Sequence, residues 1–342
     1  MDKDEFITVV QDGDLIYYYT GFVADDAFVA LIGNEKYLFV DGRYIESAKK
    51  LKGVNVIRIT KGSDFYDFIK NSKVKKTGIY PEYTTYALAK NLIDCGAEIV
   101  NASEKIISDT EIKSEHELAL IKKSCEICEK SFYEVINDLK TGVTEREIAA
   151  KLEYYFKKNG ASGTSFDTII AFGAGGSVPH YLTGDNVLEE NMPVLMDFGC
   201  KYKGYCSDMT RSFYYGNPPS EYVRVHNAVR EAKEKAFENI REGMTGAEAD
   251  AVSRNVLKGY GLDEYFVHSL GHGVGVKIHE YPRLSPSGKR VLKNGAVFSI
   301  EPGVYFEGKF GIRNEDTAYL KDGKAVGFFG KDLIGTSISP KL

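Results

Sequence analysis

His268-Ser-Leu-Gly-His-Gly-Val-Gly-Val-Lys-Ile-His279-Glu280 packs three of the chain's six histidines into twelve residues. Gly271, Gly273 and Gly275 lie between them. Glycines at this density let a backbone approach another group closely and adopt φ values that other residues resist. A histidine set among glycines, off any apolar helix face, is poorly placed for core packing. His272 therefore reads as a metal ligand and His279 as a hydrogen-bonding group. A turn-rich loop with ordinary surface histidines is the alternative that the rest of the chain must decide against.

Working outward, the last two thirds of the chain repeat themselves. Ser114-x-x-Glu117 is a capping box, followed by apolar residues at helical spacing: Leu118, Ile121, Cys125, Cys128, Phe132, Val135 and Leu139. Thr144-x-x-Glu147 caps a second helix that ends at Gly160. Pro218-Pro-Ser220 opens a third helix, expected to run to about Glu242, and Thr245-x-x-Glu248 caps a fourth that ends at Gly261. Gly142, Thr144, Glu147 and Gly160 map onto Gly243, Thr245, Glu248 and Gly261 at a constant offset of 101. His180 and His279 follow at an offset of 99, Asp197 and Glu301 at 104, and Asp208 and Glu315 at 107. Two units of ~100 residues, each with two helices, a histidine and then two acids, predict a pseudo-twofold domain.

The acids fall where strands would place them face to face. Pro193-Val-Leu-Met-Asp197-Phe-Gly is an apolar strand broken by one carboxylate, and Cys206-Ser-Asp208-Met-Thr-Arg-Ser-Phe213 reads as its return. A turn at Tyr202-Lys203 is expected to set Asp197 opposite Asp208. Ala296-Val-Phe-Ser-Ile-Glu301 returns through Gly311-Ile-Arg-Asn-Glu315-Asp-Thr, with Gly308 as the centre that faces Glu301 to Glu315. Facing like charges in buried strands are costly unless a cation lies between them. Four carboxylates and one imidazole are mostly hard donors, suited to Mn²⁺, Co²⁺, Fe²⁺ or Zn²⁺ and undecided among these. A pair of such ions ~3.5–4 Å apart lowers the pKa of a shared water, which is equipment for hydrolysis.

Composition limits the remaining choices. The 342 residues suggest two domains. A balance of 44 basic against 49 acidic residues argues against a nucleic-acid or anionic-membrane partner. No apolar run approaches the ~18 residues of a spanning helix, Met1-Asp-Lys-Asp lacks signal-peptide character, and five cysteines argue against a disulfide framework. Cytoplasmic placement is the default expectation. Cys125-Glu-Ile-Cys128 lies within a helical pattern and reads as packing. In the first third, Leu15–Thr20, Ala27–Ile32, Tyr37–Val40, Val54–Ile59 and Thr77–Tyr80 read as strands, with helices around Tyr44–Leu51 and Phe65–Lys70. No catalytic cluster is evident there. A smaller α/β domain over 1–110 and a catalytic domain over 111–342 are expected, with the boundary in the polar stretch Asn101–Lys113.

The ordered set Asp197, Asp208, His272, Glu301 and Glu315 resembles that of the pita-bread metallopeptidases of family M24, which include methionine aminopeptidase, aminopeptidase P and prolidase. The histidine-glycine stretch resembles the prolidase and aminopeptidase P version. Ser207-Asp-Met-Thr-Arg211, Ile300-Glu-Pro-Gly303 and Ile312-Arg-Asn-Glu-Asp-Thr317 match its companion motifs, and Tyr19-Thr-Gly-Phe22 and Val40-Asp-Gly-Arg-Tyr44 are similar to the creatinase-type domain that precedes the catalytic domain. The resemblance spans essentially the whole chain. It implies an α+β fold with a duplicated pita-bread domain, two divalent ions per subunit (Mn²⁺ or Co²⁺ foremost), a homodimer, and a proline-containing peptide as substrate. One departure is the short start, which leaves no room for an extra amino-terminal helix.

The resemblance also assigns roles. Asp197 would bind one ion through both oxygens, Asp208 and Glu315 would bridge the ions, and His272 and Glu301 would complete the second. Glu301 would move protons, His279 would stabilise the oxyanion, and His180, in Val178-Pro-His-Tyr181, would hold substrate or shuttle a proton. His268 is expected to be structural. Arg283 resembles the prolidase clamp for a dipeptide's free carboxylate, which favours an Xaa-Pro dipeptidase over aminopeptidase P. Methionine aminopeptidase is set aside by the large amino-terminal domain. A non-catalytic binding module of the same fold, or creatinase, should have lost ligands, and none is lost.

Overall fold

The computed structural model describes residues 6–330, 332 and 334–340; residues 1–4, read above for signal character, lie outside them. The chain divides into two compact units, Met1–Asp109 and Thr110–Leu342.

The smaller unit is organised on a six-stranded sheet. Its strands are β1 (Ile7–Val10), β2 (Phe28–Ile32), β3 (Glu35–Val40), β4 (Asn55–Arg58), β5 (Lys76–Ile79) and β6 (Glu98–Asn101), in the order β4-β3-β2-β1-β5-β6. β1–β2 and β2–β3 pair antiparallel, whereas β3–β4, β1–β5 and β5–β6 are parallel. Parallel pairs need crossovers, and helices Asp64–Asn71 and Tyr86–Asp94 occupy two of them. One expected strand is a helix: Leu15–Thr20 belongs to the helix Gly13–Thr20. The Asp12 carboxylate caps it by accepting from Leu15 N at 3.0 Å, and Gly21 ends it at φ 69°. The β-rich composition of this stretch misleads. Its buried residues, Leu15, Ile16, Tyr19 and Thr20, follow helical spacing. The strands that the pattern overlooked are β1, buried at every position, and the edge strand β6. The stretch read as a polar boundary also holds a helix, Ser103–Thr110.

In the larger unit the three capping boxes form as the sequence indicates, at Ser114, Thr144 and Thr245. They open helices Glu115–Val135, Glu145–Lys158 and Gly246–Gly259, and the remaining long helix, Ser220–Asn239, stops three residues short of the expected end. Cys125 and Cys128 are fully buried on the first helix, as packing residues. At Thr245 the hydroxyl accepts from Glu248 N at 3.2 Å while the Glu248 carboxylate accepts from Thr245 N at 2.7 Å. Thr245→Ala removes half of this exchange. Its expected cost is ~1 kcal/mol, read as a thermal midpoint lower by ~2–4 °C.

The duplication is exact in its backbone contacts. Gly142 N donates to Leu188 O, Leu188 N to Val143 O, Glu145 N to Asn186 O and Arg146 N to Gly184 O. The second half repeats each bond: Gly243 N to Leu292 O, Leu292 N to Met244 O, Gly246 N to Arg290 O and Ala247 N to Gly288 O. Each half packs its helix pair on one side of a shared sheet, with Phe132, Phe156 and Phe198 in one core and Tyr222, Phe298 and Ile312 in the other. The sheet runs Glu280–Leu284, Gly271–Gly273, Val297–Ile300, Glu315–Lys321, Met209–Tyr215, Met192–Phe198 and Ile169–Phe172, and two short strands pair off this path. The halves meet where Glu315–Lys321 pairs with Met209–Tyr215.

Candidate metal centre

Register decides which carboxylates face each other. Strand Met192–Phe198 pairs with Met209–Tyr215 so that Asp197 lies opposite Thr210, two residues beyond the expected partner Asp208. The turn is Lys203-Gly204, with φ 45° and 79°, and not Tyr202-Lys203. A two-residue hairpin of this kind needs positive φ at both central positions, and glycine takes the second readily. The correction leaves the chemistry in place, because a shift of two residues keeps a side chain on the same face whereas a shift of one would reverse it. Asp208, just before its strand, is the diagonal neighbour. The second pair keeps its expected register: Ile300 faces Asp316 and Gly303 faces Arg313, with Glu301 and Glu315 between them in the same numbering. Because Thr210 also faces Glu315, one row crosses the middle of the sheet through Ile169, Asp197, Thr210 and Glu315.

His272 comes from the adjoining strand. Its backbone N–H donates to Ser299 Oγ at 3.0 Å, and Ser299 Oγ donates to Glu301 Oε1 at 3.0 Å. The contact between His272 Nδ1 and Gly273 O, 3.1 Å, assigns the ring proton to Nδ1. Nε2 then presents its lone pair to Asp208 Oδ2 and Glu301 Oε1, each 3.4 Å away. Burial, with His279 beside it, pushes the His272 pKa down to about 3, so the ring is neutral at pH 7. A lone pair aimed at two carboxylate oxygens is repulsive unless a cation or a carboxyl proton sits among them.

The acids tell the same story. Asp208 and Glu315 are 4% and 2% exposed. Burial holds both pKa values well above the usual carboxylate range, and their mutual proximity and that of Asp197 and Glu301 add to the effect. Burial likewise pushes Glu301 up to about 8. Asp197 Oδ1 and Glu315 Oε1 are buried with no hydrogen-bond partner, and orphaned buried oxygens of this kind are uncommon in native proteins. Ligand atoms of Asp208, His272 and Glu315 all lie within 4.8 Å of one another. This donor set fits divalent cations: oxygen-rich, anionic, and with the histidine oriented by a backbone carbonyl.

A cleft of about 680 Å³ holds every site residue expected from the sequence: Asp197, Asp208, His272, Glu301 and Glu315 at its base, together with His180, His279 and Arg283. His180 and Arg283 are exposed to solvent. Arg283 faces His272 across a strand pair, and the His279 ring meets the His272 ring edge-on at 4.3 Å.

Three residues around the acids, Arg313, Thr210 and Ser299, escaped the sequence reading. Arg313, 3% exposed, donates through Nη2 to Asp197 Oδ2, through Nη1 to the Tyr305 hydroxyl and through Nε to Thr210 Oγ1 at 3.1 Å. Thr210 Oγ1 donates to Glu315 Oε2, and Ser299 holds Glu301 as described. His268, expected to be structural, lines the cleft and accepts from Tyr305 Oη at 2.9 Å. An arginine inside the apolar strand Phe310-Gly-Ile-Arg313 was the available signal.

Residues 119–322 match the Metallopeptidase family M24, and residues 7–109 match the Creatinase/Prolidase N-terminal domain. The chain belongs to metallopeptidase family M24. This M24 chain is 36% identical over 313 residues to an Xaa-Pro dipeptidase of Pyrococcus furiosus, covering 91% of this chain and 89% of that protein. It superposes with a TM-score of 0.92 on an Xaa-Pro dipeptidase from Bacillus anthracis, at 29% identity and 97% and 95% coverage. An X-Pro aminopeptidase from Thermotoga maritima matches with a TM-score of 0.88 at 32% identity, over 98% and 97% of the two chains. The M24 chain is thus a metallopeptidase with the pita-bread fold behind a creatinase-type domain, and divalent metal belongs to its chemistry. Among the described residues no helix is long and apolar enough to cross a membrane.

Proposed function

We propose that this chain is an Xaa-Pro dipeptidase that uses two divalent ions held by Asp197, Asp208, His272, Glu301 and Glu315. The observation that carries this reading is the buried set of acids with orphaned oxygens in the same cleft as an exposed arginine. Bound divalent ions supply Lewis acidity and activate water. The protein's own groups do the rest. Glu301, in the same cleft as the other acids, takes a proton and passes it to the departing proline nitrogen. His279 donates to the oxyanion and His180 holds the substrate carbonyl side. Arg283 takes the free carboxylate with its planar fork. A proline nitrogen carries no N–H, so recognition rests on these end groups more than on backbone bonds.

The names of the Pyrococcus and Bacillus relatives support the dipeptidase reading, and that of the Thermotoga structure supports an aminopeptidase. Assays of Gly-Pro against Gly-Pro-Gly, with chelated protein and each of Mn²⁺, Co²⁺, Fe²⁺ and Zn²⁺ restored in turn, separate the two and choose the metal. Preferred turnover of Gly-Pro is expected, and a preference for the tripeptide would overturn the dipeptidase reading. Arg283→Met should raise KM for Gly-Pro by ~10–100-fold, the worth of a charge-assisted hydrogen bond, and change kcat little. The same reading extends to a cytoplasmic homodimer. No disulfide joins the cysteines among the described residues, which is in keeping with a reducing compartment, and sedimentation tests the dimer.

A further inference from the structure

Glu145 is a fully buried carboxylate, 0% exposed, that is not among the residues lining the cleft and has no part in the chemistry above. Its four partners are all neutral donors. Phe172 N donates to Oε1 at 2.8 Å and Asn186 Nδ2 at 3.2 Å, while Gly184 N donates to Oε2 at 2.9 Å and Tyr181 Oη at 3.0 Å. Every donor belongs to one segment. Phe172 is the last residue of its strand, where the chain leaves the sheet, and Gly184 and Asn186 stand where it comes back to the helix start. Between them the chain makes the excursion that carries Pro179, His180, Tyr181, Leu182 and Thr183 into the cleft wall. A buried anion without a counter-ion is expensive unless its hydrogen bonds are complete. Here it also sits at the first position of a helix, where the macrodipole favours negative charge.

The duplication supplies an internal control. The position related to Glu145 by the offset of 101 is Gly246, likewise the first residue of its helix. There the loop that carries His279 and Arg283 rests directly on the helix start: a Cβ built on Gly246 would lie 2.0 Å from Arg283 O. One half holds its histidine-bearing loop by backbone contact against a glycine. The other holds it at a distance spanned by a carboxylate.

We infer that Glu145 is a positioning residue for substrate: its carboxylate clasps both ends of the 172–184 excursion and so sets His180 in the cleft. This rests on the reading of His180 as a substrate contact. The arrangement needs an acceptor at all four bonds. Glutamine has nearly the same shape but turns two N–H donors toward groups that are themselves donors.

The test uses the manganese-loaded, full-length protein and Gly-Pro. Glu145→Gln should lower kcat/KM by ~10²-fold, the effect of a misplacement of about 1 Å in a binding group, with manganese affinity unchanged. Amides of Phe172 and Gly184 should lose hydrogen-exchange protection. In a His180→Ala background the same substitution should add no further loss, because the clasp acts through His180. Multiplying losses, a parallel fall in manganese affinity, or retained protection of both amides would overturn the inference. Should Glu145→Gln fail to fold, Tyr181→Phe, which removes one of the four donors, takes its place in the same cycle with a smaller loss that must again vanish in the His180→Ala background. A wild-type protein inert toward Gly-Pro would instead overturn the dipeptidase reading, and exchange at Phe172 and Gly184 would still judge the clasp.

Discussion

Replacing Asp208 by asparagine should abolish metal-dependent peptidase activity, by ~10³-fold or more, and at the same time make the chelated protein harder to unfold. The two effects have one origin. Asp208 is buried among Glu315, Asp197 and Glu301, and burial followed by these charges holds its pKa well above the ordinary range. Without cations, ionising it is unfavourable to the fold. Asparagine is neutral without taking up a proton on folding, and its amide can donate toward the His272 Nε2 lone pair, which stands 3.4 Å from Asp208 Oδ2. Sparing the fold that proton uptake is expected to stabilise the chelated variant by ~1–3 kcal/mol. The same change removes an anionic donor from the cation site, and Lewis-acid stabilisation there is worth several kcal/mol, hence ~10³-fold in rate. Thermal unfolding in EDTA and with added Mn²⁺ checks both halves. The wild type should gain stability with Mn²⁺ by the mass-action relation, and the variant should gain much less. A chelated wild type with full turnover, or a variant less stable than wild type in EDTA, would show that the acids are held together by something other than cations.

What the sequence disclosed, and what it withheld, follows a physical division. The four carboxylates, His272 and His279 were singled out because each is chemically out of place where it stands: an acid in an apolar strand, or an imidazole among glycines. His180 was singled out by the duplication that pairs it with His279, and Arg283 only by the family resemblance. They do share one cleft. The helix starts were legible because capping is local, decided by side chains three residues apart. Arg313, Thr210 and Ser299 were not, because a guanidinium bound to Asp197 from 116 residues away, or a hydroxyl beneath Glu315, has meaning only once the strands are in register. The hairpin turn was misplaced by one residue for a related reason. Alternation fixes which face a residue takes, but only the positive φ at Lys203 and Gly204 fixes where the chain reverses. Leu15–Thr20 failed in the opposite direction: a tyrosine-rich composition suggested a strand, and the Asp12 cap with Gly21 closure imposed a helix. Glu145 sat in plain view as the residue after a cap, and nothing local marked it as buried.

Between pH 6.5 and 8 the chelated protein should lose stability, by ~2 kcal/mol for each carboxyl that titrates there, while the metal-loaded protein should not. Burial raises the Glu301 pKa from an ordinary 4.5 to about 8, and Asp208 and Glu315 move in the same direction. A group whose pKa is raised by folding keeps a proton that the unfolded chain gives up. Its contribution to stability is therefore complete below the unfolded value and disappears as pH climbs through the folded one. The histidines oppose this at lower pH. Burial lowers His268 and His272 from 6.5 to about 3, so they destabilise the fold as pH falls below 6.5 and mask the carboxyl slope there. Above 6.5 their opposing slope fades as the unfolded imidazoles lose their protons, and the three acids set the sign. Divalent ions replace the protons that the acids would otherwise hold. Metal affinity should therefore strengthen across the same window, and binding should release protons, a release that calorimetry in buffers of different ionisation enthalpy detects. Urea unfolding in EDTA at half-unit pH steps measures the slope directly. A chelated protein that gained stability from pH 6.5 to 8 would mean that the acids are ionised and compensated within the protein itself, with no need of metal.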